Sequence, residues 1–268
     1  MSAVGDATEH QAAARLALEA AVATPHHAYL FVGPRGTGKR RAARAFAAEL
    51  LAAGASDPED ARRRALIEPS PHPDLVWLAP PGTQHLVEEV RERVIRGAAY
   101  RPFEGERRAF VIQDADAMAD ESQNALLKTL EEPPPFAHLV LLSSEPAALL
   151  ETVTSRCQPV RFAALSPEAV EERLADAGEA PEAERRAAAR LCGGDADRAL
   201  FLLTEGGRLL RARADACARA ARAGELADAP WLGLLEVAEG AGEEAGARAS
   251  ALVAERERTL RGECARRP

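Results

Sequence analysis

Apolar residues recur along this chain in two rhythms, and the place where one gives way to the other divides it. Five short stretches are almost wholly apolar: 28–32, 74–78, 109–113, 138–142 and 159–162. Each is too short for a helix and too continuous for a strand with one wet face, so each reads as a strand buried on both sides. Between them the apolar positions return at helical spacing. Ala12, Leu16 and Ala20 share a face over 9–22, and Val87, Val90 and Val94 do so over 86–95. Helices are also expected over 41–51 and 120–130, the latter stopped by Pro133-Pro134-Pro135. Residues 54–73, rich in Pro, Asp, Ser and Arg, read as a surface excursion. Buried strands alternating with helices predict an α/β fold, a doubly wound parallel sheet covered on both faces.

After Phe162 the strand rhythm stops. Ser166-Pro167-Glu168 is a helix start, with a cap, a proline at the first helical position and an acid in the first turn. Gly178 closes that helix, and helices over 181–192 and 195–204 follow, separated by Gly193-Gly194. Further helices are expected over 208–223, 231–239 and 243–261. The predicted division is an α/β domain at 1–163, a small three-helix domain at 164–205 and an all-helical segment at 206–268.

Composition narrows the function classes. A chain of 268 residues with 47% hydrophobic and 28% charged content can bury a real core. A net charge of −8 and only 4% aromatics argue against a free-standing nucleic-acid binder with base-stacking platforms. The four cysteines, Cys157, Cys192, Cys217 and Cys264, form no C-x-x-C pair, so neither a zinc ribbon nor a disulfide framework is expected. His26-His27 has no third ligand nearby and reads as a strand-start pair rather than a metal site. Met1–His10 carries acids and no apolar segment, and no run reaches membrane-spanning length; a reduced, cytoplasmic protein is expected.

Candidate chemistry begins at Gly33-Pro34-Arg35-Gly36-Thr37-Gly38-Lys39-Arg40, between a predicted strand and a predicted helix. That is the context of a phosphate-binding loop. Glycines let consecutive N–H groups converge on one anion, the helix adds its positive end, and Lys39 adds a full charge. Only Lys39 and Lys128 are lysines, so a lysine retained here is informative. The last position departs from the G-x-x-x-x-G-K-[ST] pattern, because Arg40 stands where a hydroxyl would hold Mg²⁺. The strand ending in Gln113-Asp114 is the usual source of a metal-orienting carboxylate, which makes Asp114 a candidate. The next residue, where ring-forming ATPases carry a glutamate base, is Ala115. Two groups needed for hydrolysis are therefore missing, and efficient turnover by this chain's own site is not expected.

A third element is the run Asn124-Ala125-Leu126-Leu127-Lys128-Thr129-Leu130-Glu131-Glu132-Pro133-Pro134, followed by Ser155-Arg156-Cys157. With His27-Ala28-Tyr29-Leu30-Phe31, the Gly-Lys loop and His72-Pro73-Asp74-Leu75, these residues resemble bacterial DNA polymerase III clamp-loader subunits of the AAA+ class. The resemblance runs from about Gly5 to Leu203, and the two missing groups bring the chain nearest to the delta-prime type. It implies a P-loop AAA+ domain, a three-helix lid and a helical collar. It implies that Arg156 is an arginine finger acting in trans on a neighbour's nucleotide, that Ser144 stands at the γ-phosphate-sensing position, and that Arg198 is the lid arginine facing the nucleotide. ATP or ADP would be held weakly, or as a relic, by residues 33–40 with Asp114, Ser144 and Arg198. Implied partners are the other clamp-loader subunits, in a pentamer by family analogy, with the sliding clamp and primed DNA; no membrane is implied. The family's four-cysteine zinc module is missing from 50–74, so no zinc is expected, and the collar is short. A hydrolysing gamma/tau-like subunit or other AAA+ DNA motor would carry Ser or Thr at 40 and Glu at 115. A small-molecule kinase would not need the 124–134 run.

Overall fold

The computed structural model describes residues 2–240, apart from 179, 226, 228 and 238. The five apolar stretches form β1 (Ala28–Val32), β2 (Leu75–Leu78), β3 (Arg108–Ile112), β4 (Ala137–Ser143) and β5 (Gln158–Arg161). All pair in parallel, in the order β2-β3-β4-β1-β5. Ile112 stands opposite Leu141 and Val32 opposite Ser143, so β1, β3 and β4 finish along one edge of the sheet. In open α/β sheets, ligands bind beyond the carboxyl ends of the strands.

Alternate residues of each strand feed two cores. One face carries Tyr29, Phe31, Val111, Val140 and Leu142 against Leu18 and the helix α3 (Lys39–Ala52). The other carries Leu30, Phe110, Ile112, Leu139 and Leu141 against Val90, Val94, Leu126 and Leu130. Alanines at 42, 43, 45, 47 and 48 are buried in α3, and their small side chains bring its backbone close to the sheet. Phe46 is the large residue among them and meets the Tyr29 ring edge-on at 4.9 Å.

Before β1 lie α1 (Ala3–Ala7), which the sequence pattern did not predict, and α2 (Ala12–Ala23), starting three residues later than expected. The expected excursion at 54–73 contains a helix, α4 (Pro58–Leu66). Asp57 caps it, Pro58 opens it, and Ala61 and Ala65 are buried as it packs on α3. Three consecutive arginines hid that stripe, yet Arg62 pairs with Glu49, and Arg64 with Asp60 and Glu104. The helix expected over 86–95 is α5 (Val87–Glu89), continuing as a π-helical stretch at Val90–Arg96. After β3 come α6 (Asp120–Glu131) and, beyond β4, α7 (Glu151–Thr154).

The His72-Pro73-Asp74-Leu75 run proves to be scaffolding. The wholly buried Asp74 carboxylate accepts from the backbone N–H groups of Phe103 and Glu104 and lies 3.4 Å from the Arg108 guanidinium. Burial works against the charge on Arg108 and Asp74 offsets it. Asp74→Asn keeps an acceptor but strips Arg108 of its counter-charge. It is expected to destabilise the fold by about 2 kcal/mol, read as a lower urea midpoint with the slope unchanged.

Among the described residues, packing separates those up to Leu165 from those that begin at Ser166. In the second unit α8 (Pro167–Ala177), α9 (Glu182–Leu191) and α10 (Ala196–Leu203) pack on one another, and α11 (Glu205–Ala223) follows α10. Ser166, Asp195 and Thr204 cap α8, α10 and α11. The helix expected over 243–261 lies outside the described residues.

Candidate functional site

The loop at 33–40 joins β1 to α3 at the carboxyl edge of the sheet. Gly33 donates its N–H to the Ser143 carbonyl at 3.3 Å, which fixes the loop's start to the end of β4. A Cβ at Gly33 would stand 2.2 Å from the Phe162 carbonyl oxygen, so no other residue fits against the end of β5. Gly38, at φ 94°, turns the chain into α3 from the left-handed region. The buried Thr37 hydroxyl donates to the Pro34 carbonyl at 2.9 Å. Gln11 holds the loop from beneath, donating to the Thr37 carbonyl at 3.2 Å and to the Ala163 carbonyl at 2.8 Å.

The Lys39 ammonium donates to the Gly33 and Pro34 carbonyls at 2.5 and 2.6 Å, which places its charge under the first two loop residues. Arg40 turns the other way. Its guanidinium lies 2.8 Å from Glu68, and both side chains are more than half exposed, at 56% and 59%. Glu68 is shared, since the Arg44 guanidinium lies 3.5 Å from it. Arg44 is anchored by its bond to the Ile67 carbonyl at 2.9 Å and stacks 4.4 Å from the Trp77 ring.

Beyond β3 the chain makes a sharp turn at Asp114, whose φ of 49° is rare for a residue with a side chain. The Asp114 carboxylate accepts from the Gln113 amide at 3.0 Å. After this turn Ala115 points inward; it is fully buried in the core cluster that holds Met118, Leu126 and Leu149. Position 115 therefore faces the core and offers no acid where the sequence pattern would place a base. The acids that the turn leaves near the sheet edge are Asp114 and Asp116. Asp116 accepts from the Ser144 N–H at 3.3 Å, which ties the end of β4 to the turn. His85 props the turn from outside, with Nε2 2.7 Å from the Gln113 carbonyl. Burial lowers its pKa, so it stays neutral and donates through Nε2.

The sheet edge thus brings together Gly33–Arg40, Asp114 and Ser144. Arg156 stands just after α7, its guanidinium donating to the Thr152 carbonyl at 2.8 Å and to Glu131 at 2.6 Å on the surface. Glu131 belongs to the 124–134 run, so the two motifs that looked separate in the sequence meet in one ion pair. Arg198 lies in α10 of the second unit, exposed, with its backbone N–H on the Asp195 cap. Gln11, Glu68, Asp116 and Glu131 were not expected as site residues. The signals for them were slight: the place of Gln11 near the start of a helix, and that of Glu131 inside the 124–134 run.

The residues present fit a polyphosphate. A strand–loop–helix with two glycines in the left-handed region, Gly36 and Gly38, presents backbone N–H groups beside a buried lysine. They do not fit Mg²⁺ at the usual place, because position 40 offers a guanidinium in place of a hydroxyl oxygen.

Residues 8–166 match the family described as DNA polymerase III, delta subunit. The chain is 36% identical over 164 residues to DNA polymerase III subunit delta' of Bacillus subtilis, covering 59% of this chain and 49% of that protein. It is 34% identical over 156 residues to DNA polymerase III subunit tau/gamma of Haemophilus influenzae, covering 56% and 22%. It spans about half the length of the delta' relative. A proline-to-glycine mutant of RuvB from Thermotoga maritima superposes with a TM-score of 0.50 at 14% identity, over 80% of this chain and 66% of that one, and shares the fold. The fold is a P-loop α/β fold with a parallel five-stranded sheet, and the chain belongs to the DNA polymerase III delta-subunit family.

Proposed function

We propose that this chain is a non- or weakly hydrolysing subunit of the replicative sliding-clamp loader, of the delta-prime type. Its loop holds ATP or ADP weakly, and its Arg156 completes the nucleotide site of an adjacent ATPase subunit. The carrying observation is Arg40, which removes the metal-binding hydroxyl while the rest of the loop keeps its form. Arg156 supports the second half of the reading. It is held at the surface by an exposed carboxylate, a contact weak enough to exchange for a neighbour's phosphate. By the family resemblance, Ser144 would stand at the γ-phosphate-sensing position, where Thr or Asn is usual, and Arg198 would be the lid arginine. The assembly would be a cytoplasmic hetero-oligomer, a pentamer by family analogy, that opens a clamp and places it on primed DNA. No helix among the described residues is long and apolar enough to cross a membrane.

The purified chain is expected to turn over ATP at least about a hundredfold more slowly than the median enzyme rate of about 10 per second. Phosphate release from the chain alone, then from its ATPase neighbours with and without it, checks this. The neighbours should accelerate when the chain joins them. Turnover of several per second by the chain alone would replace this reading with the hydrolysing, gamma/tau-like one.

A further inference from the structure

We propose that the loop takes a nucleoside triphosphate without a divalent cation, the Arg40 guanidinium leaving Glu68 to lie against the outer phosphates where a metal would otherwise sit. This rests on the loop being a nucleotide site. Three features of the loop carry it. Arg40 occupies the first turn of α3, at the helix end whose N–H groups favour anions, immediately after Lys39. Its present ion pair is exposed on both sides, so water screens it and little holds it there. Glu68 does not lose its only counter-charge when Arg40 departs, because Arg44 remains beside it. Arg44 cannot make the same move, since its guanidinium is held by the Ile67 carbonyl and the Trp77 face. Glu68 is thus a parking place for a mobile cation on α3, beside a fixed one.

A planar guanidinium can bridge oxygens of two phosphates, as a bound Mg²⁺ does. Both would compete for the same oxygens, which inverts the usual dependence. Binding of a fluorescent ATP analogue, followed by anisotropy, is expected to be several-fold tighter in EDTA than in millimolar Mg²⁺. Arg40→Thr restores a hydroxyl and removes the cation. It should weaken binding about tenfold in EDTA and make Mg²⁺ favourable. Glu68→Gln releases Arg40 and should tighten binding in EDTA. Lys39→Ala should abolish binding in both buffers, which locates the probe in the loop. Wild-type binding that requires Mg²⁺, or an Arg40→Thr variant indistinguishable from wild type, overturns the role of Arg40 and leaves the nucleotide loop standing. No binding in either buffer overturns both.

Discussion

Replacing Arg156 by alanine is expected to leave this chain folded and to slow ATP hydrolysis at the neighbouring site by about a hundredfold or more. The physical reason is charge. In phosphoryl transfer the equatorial oxygens gain negative charge as the bond breaks, and a guanidinium already in place stabilises them without reorganisation. The chain itself should tolerate the loss. The Arg156–Glu131 pair is a third to a half exposed, at 34% and 48%. A pair of that kind contributes about 1 kcal/mol or less. Arg156→Lys should fail nearly as badly as alanine, since a single ammonium cannot reproduce the two-pronged geometry. The measurement is single-turnover hydrolysis in the reconstituted assembly, with the phosphate-loop lysines of the other ATPase subunits replaced. An Arg156→Ala assembly that hydrolyses at the wild-type rate would remove the finger from the proposal. Glu131→Ala supplies a contrast, because it frees the arginine and should leave the rate unchanged or raise it.

Ala115→Glu, the substitution that a comparison of motifs would suggest for restoring a catalytic base, is expected to destabilise the fold by about 4 kcal/mol and to restore nothing. Ala115 is fully buried beneath the turn, among Met118, Leu126 and Leu149. A glutamate there must place a carboxylate in an apolar core, and its extra length must displace close-packed neighbours. Thermal or urea unfolding of the variant reads the loss directly, and phosphate release reads the absence of gain. A folded, hydrolysing Ala115→Glu variant would mean that the turn at Asp114 reverses in solution.

The loop, the strands and the family were legible in the sequence because each rests on local pattern. A short apolar run bounded by polar residues can only be a buried strand in this setting, and glycines at fixed spacing before Lys39 specify a backbone shape. The helix at Pro58–Leu66 was legible in principle, through Asp57 and Pro58, but its arginines masked two buried alanines. Long cationic side chains cover apolar surface while their ends stay in water, so composition understates such burial.

The departure at Arg40 was likewise visible in the sequence, and its partner was not. Glu68 lies 28 residues further on, in a segment whose composition suggested only a loop. The support of the loop by Gln11 runs to Ala163, 152 residues away. Arg156 meets Glu131 across 25 residues. One residue of backbone turn, Asp114 at positive φ, decides whether position 115 faces the site or the core. The sequence by itself determined the five strands, most of the helices and a Gly-Lys loop of phosphate-binding pattern between two of these elements, because hydrophobic spacing and glycine act over a few residues. Only the tertiary structure decided which way Arg40, Ala115 and Arg156 face. Side-chain direction depends on packing and on counter-charges brought in from distant parts of the chain.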